Sequence, residues 1–211
     1  MSAEHSFTGQ AVVACGTLRG ELEALQDDGF LDAEALLFTA PGLHERPREL
    51  EAQLVKQLAR ARDEADETIV VYGARCYVDY SDPTRAVDAL IKEQGPGSVR
   101  VAASNCVDML ADADRREQIA DGDSIYLLTP GWVRYWRHIF RDWDAGKANE
   151  TFPQNDRVVV LDGLGFFQRR AAERPEEILA FSDWMKIPIV AETVSLDRLR
   201  RLLLEAGQQV A

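Results

Sequence analysis

The sequence predicts an α/β fold: a mostly parallel, Rossmann-like sheet of about seven strands with helices on both faces. Three observations predict it. Short apolar runs alternate with helical patterns along the whole chain. Turn residues separate the two kinds of segment. No internal repeat or low-complexity stretch breaks the alternation, so right-handed crossovers follow. The expected organisation is a single α/β domain over 1–211, with room for two lobes meeting near 95–125.

The first run, Ala11-Val12-Val13-Ala14, leads into Cys15-Gly16-Thr17. A short helix follows from Leu18 to Asp27, with Leu18, Leu22 and Leu25 on one face. The second strand is Ala35 to Phe38, and the loop Thr39 to Pro47 carries Pro41, Gly42 and His44. Leu50, Leu54, Leu58 and Ala61 then mark an amphipathic helix from about Pro47 to Asp66, with Pro47 in its first turn. The third strand, Thr68 to Tyr72, leads through Gly73 to Cys76 and an acidic turn around Asp79 and Asp82. Thr84 to Gln94 is a helix, stopped by Gly95-Pro96-Gly97.

The fourth strand is Ser98 to Ala103, after which Asn105 caps a helix that opens on Cys106 and carries Val107, Met109, Leu110 and Ala113. The fifth, Ser124 to Leu128, stops at Thr129-Pro130-Gly131. Trp132 to Trp143 is a helix striped with aromatic residues, and 145–156 is a polar connector. The sixth strand, Arg157 to Leu161, ends in the turn Asp162-Gly163-Leu164-Gly165. A helix from about Pro175 to Met185, a seventh strand, Pro188 to Glu192, and a helix, Ser195 to Ala206, close the chain.

Composition bounds the function. The chain has 211 residues, 46% hydrophobic, enough for a sizeable core. Its formal net charge of −12 argues against a nucleic-acid backbone or an anionic membrane surface as partner. It leaves a small-molecule ligand and a homo-oligomer open. The first ten residues are polar and lack a signal-peptide pattern, and no apolar stretch approaches a membrane span. The expected compartment is the cytoplasm, where three cysteines are thiols, thiolates or metal ligands rather than disulfides.

All three cysteines fall just past the ends of apolar strands, and His44 does the same. In a parallel sheet, ligands bind outside the carboxyl ends of the strands. Cys15, His44, Cys76 and Cys106 are therefore expected on one rim. Such a Cys3His set suits zinc, or an iron–sulfur cluster bound by the three thiolates. A free cysteine is most often a buried small hydrophobe, so the joint placement carries the reading. At a helix N-terminus, Cys106 is expected to have a lowered pKa. Gly16, Thr129, Gly131 and Trp132 are expected to bind a ligand, because glycine lets it approach the backbone and a helix N-terminus receives an anion. Asp162-Gly163-Leu164-Gly165 and Gly16-Thr17-Leu18-Arg19-Gly20 both fail the GxGxxG pattern, and no GxSxG occurs. His5 and His138 are read as bystanders.

The ordered set Ala14-Cys15-Gly16-Thr17-Leu18, Leu43-His44 before Pro47, Tyr72-Gly73 with Cys76, Asn105-Cys106 and Leu128-Thr129-Pro130-Gly131-Trp132 resembles the bacterial and archaeal DUF1638 family. The resemblance spans nearly the whole chain and supports the three cysteines and His44 as a set. One departure is Tyr77, where the family commonly has glycine. The family has no assigned activity. Its members are often encoded beside corrinoid-dependent methyltransferase proteins, which implies methyl-group or one-carbon metabolism and a corrinoid or methyltransferase protein as partner.

Three functions are expected to compete. The first is a metal-binding protein in which zinc activates a substrate thiol for methyl transfer, or an open cluster iron acts as a Lewis acid. The second is a metal-free, racemase- or isomerase-like enzyme with Cys15 and Cys106 facing each other across the substrate and His44 assisting. The third is a non-catalytic accessory module, with the Trp132–Trp143 helix as its partner surface.

Overall fold

The computed structural model describes residues 6–210. His5 lies outside the described residues. The first half runs β1 (Gln10–Cys15), α1 (Arg19–Asp27), β2 (Ala35–Thr39), α2 (Pro47–Glu64), β3 (Glu67–Val71), α3 (Val87–Glu93) and β4 (Ser98–Arg100). The second half runs α4 (Cys106–Leu110), α5 (Ala113–Ala120), β5 (Ile125–Leu128), α6 (Pro130–Ile139), α7 (Ala145–Thr151), β6 (Arg157–Asp162), α8 (Phe166–Glu173), α9 (Pro175–Met185), β7 (Ile189–Thr193) and α10 (Asp197–Val210).

The strands form two parallel sheets, ordered β2-β1-β3-β4 and β5-β6-β7. The α/β class with parallel strands stands, and the single sheet of about seven strands is corrected. The physical cause lies at β4. It pairs with β3 for only three residues, Ser98 to Arg100. The expected strand to Ala103 stops short, where the chain turns and the Ala103 N–H donates to the Val101 carbonyl at 2.8 Å, with the Arg100 guanidinium on the same stretch. The Arg100 Nη1 donates to the Val101 carbonyl at 2.6 Å and the Ala103 carbonyl at 2.9 Å. Both carbonyls also accept a backbone N–H, from Ala103 and Ala74 respectively.

Side-chain alternation sets the layers. In β1, Ala11 and Val13 face Leu50, Leu54 and Leu58 of α2. Each such buried leucine contributes about 2 kcal/mol. Val12 and Ala14 face the opposite layer, together with Val159 and Leu161 of β6 and Leu199 and Leu203 of α10. One apolar layer thus joins both sheets. The outer face of β6, Val158 and Val160, packs on Phe181 and Met185 of α9.

Three local departures from the sequence pattern have visible causes. The helix opening at Cys106 breaks after Leu110, because Asp112 caps a new helix by accepting from the Arg115 N–H at 3.0 Å. The connector at 145–156 contains α7, capped by Asp144, which accepts from the Lys147 N–H at 2.8 Å. The aromatic helix starts at Pro130 and ends at Ile139, with Tyr135 off helical geometry. Its stripe is core: Trp136 stacks on Phe181, and Trp132 and Phe140 are buried in the same cluster. That corrects the expectation of a tryptophan-rich partner surface. No helix among the described residues is long and apolar enough to cross a membrane.

Candidate functional site

The carboxyl ends of β1 and β3 open onto one pocket. Cys15 ends β1, and Thr17 follows in a single 3-10 turn. Beyond β3 the chain passes Tyr72 and Gly73 to Cys76. Glycine at 73 is required by close approach: a Cβ there would collide with the Asn105 backbone. That contact seats the first turn of α4 against the end of β3. Asn105 caps α4, accepting from the Asp108 N–H at 2.9 Å, and so fixes Cys106 at the helix start. His44 comes from a 3-10 turn after β2, whose entry residue, Gly42, has φ +71° beside Ile139.

Cys15, His44, Cys76, Cys106 and Trp132 therefore line the same pocket, about 350 Å³ of atom-free space counting space open to solvent. Tyr72 and Met109 also line it. Sequence reasoning did not single these two out as site residues; Tyr72 was legible as the residue that ends the third apolar run.

Each polar group answers first to a local partner. Thr17 Oγ1 donates to the Cys15 sulfur at 3.2 Å. The buried Tyr72 hydroxyl bonds the Thr39 hydroxyl. The His44 ring lies 5.0 Å from the Trp132 ring, centroid to centroid, and its Nε2 is 3.7 Å from a Glu45 carboxylate oxygen. Burial of the imidazole lowers its pKa, and Glu45 pulls the other way. Burial likewise raises both inner thiols. Cys106 is pushed up to about 12, with Cys15 adding to the rise while Trp132 and Thr17 oppose it. Cys76 is raised well above the usual thiol range by burial and by its two neighbouring thiols. The lowered pKa expected for Cys106 is corrected: α4 is only five residues long, and desolvation outweighs its weak dipole.

The metal-binding function expected of Cys15, His44, Cys76 and Cys106 is overturned. Among the described residues, no three His, Cys, Asp or Glu side chains are placed to hold a metal ion. The four side chains line one pocket without forming such a group. The two-thiol enzyme reading also loses support at Cys106, because a proton-abstracting thiolate there is scarce near neutral pH when burial raises its pKa this far.

The residues expected to contact a ligand through the strand-to-helix turn divide. Trp132 lines the thiol pocket. Thr129 donates its hydroxyl to the Thr17 carbonyl at 3.0 Å. Gly131 lies against the Thr17 backbone, and Gly16 packs against Thr39 and Pro41. These glycines make contacts between chain segments, and both also line a second cleft beside the thiol pocket.

Residues 38–203 match the family model described as Protein of unknown function (DUF1638). The chain belongs to the DUF1638 family. The matched span includes His44, Cys76, Cys106 and Trp132, and begins after Cys15. The family description assigns no activity, so membership adds no support for methyl-group chemistry. No curated protein and no solved structure matches the chain.

Proposed function

We propose that this DUF1638 protein binds a small, uncharged, largely apolar molecule in the thiol pocket. The chemistry of the wall carries the reading. Leu18, Leu43, Leu50, Val71 and Met109 supply apolar surface, and none of the described lining residues is Asp, Glu, Lys or Arg. A charged ligand there would give up hydration with no counter-charge, at a cost of several kcal/mol. The protonated thiols of Cys76 and Cys106 and a neutral imidazole beside an indole face favour a soft, neutral partner.

The test compares benzyl alcohol with benzoate on the full chain, read at the Met109 methyl resonance and the tryptophan fluorescence. Benzyl alcohol is expected to shift both signals saturably, and Trp132→Ala to abolish the Met109 shift. Equal or stronger Met109 shifts with benzoate, or a benzyl alcohol shift that survives Trp132→Ala, would overturn the reading.

A further inference from the structure

A second cleft lies on the far side of the Thr17–Gly131 contact, walled by α1, α6 and α8. It shares no residue with the thiol pocket and has about 400 Å³ of atom-free space, counting space open to solvent. Its chemistry is opposite. Arg19, Arg134 and Arg169 line it, together with Glu21. Arg19 pairs with Glu23 at 3.1 Å and stacks over Phe38. Arg169 donates to the Leu164 carbonyl at 2.6 Å. Arg134 rests near the Phe166 ring and has no carboxylate within ion-pair distance among the described residues.

Glu21 is the unusual member. It is 1% exposed, and its Oε1 has no hydrogen-bond partner among the described residues. A buried polar atom left unsatisfied costs about 1–3 kcal/mol. The acid that acts on it electrostatically, Asp162 at the end of β6, is engaged elsewhere. Its carboxylate accepts the N–H groups of Leu164, Phe166 and Phe167 at 3.1, 3.0 and 2.7 Å. Burial raises the Glu21 pKa to about 7. Its own backbone N–H and Arg134 oppose the rise, and Asp162 reinforces it.

We propose that this cleft is a second ligand site, taking a small oxyanion, a carboxylate or a phosphate, held by Arg19 and Arg134 with the Glu21 carboxylic acid donating to it. A protonated Glu21 gains the acceptor it lacks, and the arginines gain an anion that Glu21 in this form does not supply. Carboxylate and phosphate share this chemistry, and Arg169 at the mouth serves either. Ionised Glu21 would repel the ligand, so binding weakens as pH rises past neutrality. The groups facing Glu21 are Asp162 on β6 and Arg134 on α6, with Arg19 on its own helix and Arg169 on α8 at the rim.

Calorimetric titration of the full chain with pyruvate and with inorganic phosphate tests the site. At least one probe is expected to bind saturably at slightly acid pH, the preferred one identifying the anion. Arg134→Ala, an exposed change that should leave the unfolding midpoint in place, weakens that binding about tenfold or more. From acid to alkaline pH the wild type loses affinity, while Glu21→Gln holds a flatter profile. Heat from neither probe, binding indifferent to Arg134→Ala, or the same pH profile in Glu21→Gln would each overturn the proposal.

Discussion

Gly131 lies so close to Thr17 that a Cβ built on it would stand 2.7 Å from the Thr17 carbonyl carbon. The helix after β5 therefore touches the turn after β1 backbone to backbone, and the Thr129 hydroxyl adds a bond to the Thr17 carbonyl. The two clefts open on either side of this seam.

Gly131→Ala tests the seam. Alanine favours a helix over glycine by about 1 kcal/mol. Forcing a methyl group against backbone that cannot rotate away costs about 1–3 kcal/mol. The clash should win, so chemical denaturation should show a net loss of stability. A stabilised variant would mean that the seam has slack.

Gly73→Ala should be the more damaging change. Its methyl group likewise meets backbone, that of Asn105 and Ser104, and at a position outside any helix alanine brings no helix-propensity gain to offset the clash. A loss of about 2 kcal/mol or more is expected in urea unfolding. Displacement of α4 should also make Cys106 more accessible, seen as faster alkylation in the folded variant.

The inner thiols should be slow. With Cys106 near 12, its alkylation by iodoacetamide at neutral pH should run on the order of a thousandfold below that of a free cysteine. Unfolding in urea should release normal reactivity. Because the folded pKa is raised, the stability from keeping this thiol protonated is present below the unfolded pKa and lost as pH climbs toward 12. Rapid labelling of folded protein at neutral pH would contradict the burial argument.

Glu21 gives a window on the acid side. Its pKa rises from an ordinary carboxyl value to about 7 on folding, so the folded state binds more protons between the two values. Stability therefore falls as pH rises from about 4.5 toward 7. The shift corresponds to an effect on the order of 3 kcal/mol. Glu21→Gln should remove this slope and gain stability over the wild type at slightly alkaline pH. Thermal melts across that range of both proteins read it directly.

Much of this was legible in residues, and the failures have physical reasons. The apolar run Val158 to Leu161 and the heptad-like leucines of α2 announce a buried strand and an amphipathic helix, because local periodicity reports burial. The expectation that strand ends would gather Cys15, His44, Cys76 and Cys106 followed from parallel topology, and all four line one pocket. Their mutual direction was not legible. The place of Cys106 is set by Gly73 meeting Asn105, a contact between segments far apart in sequence. The early end of β4 shows only in a local turn, from the Ala103 N–H to the Val101 carbonyl, that the apolar run 98–103 does not announce. The oxyanion cleft did leave a trace. Leu18, Leu22 and Leu25 make an apolar stripe in which Glu21 is the one charged member. An acid on a buried face marks either an error of register or a partner waiting in the fold.

α10 packs on β3, β4 and α4, and its Leu199 and Leu203 fill the layer beside Val12 and Ala14. During synthesis, the first sheet can be complete in its hydrogen bonds long before the helix that covers this face has left the ribosome. The nascent chain must carry an open apolar face through most of translation. A stop codon just ahead of Asp197 would leave that face bare for good, turning a folding delay into an aggregation site.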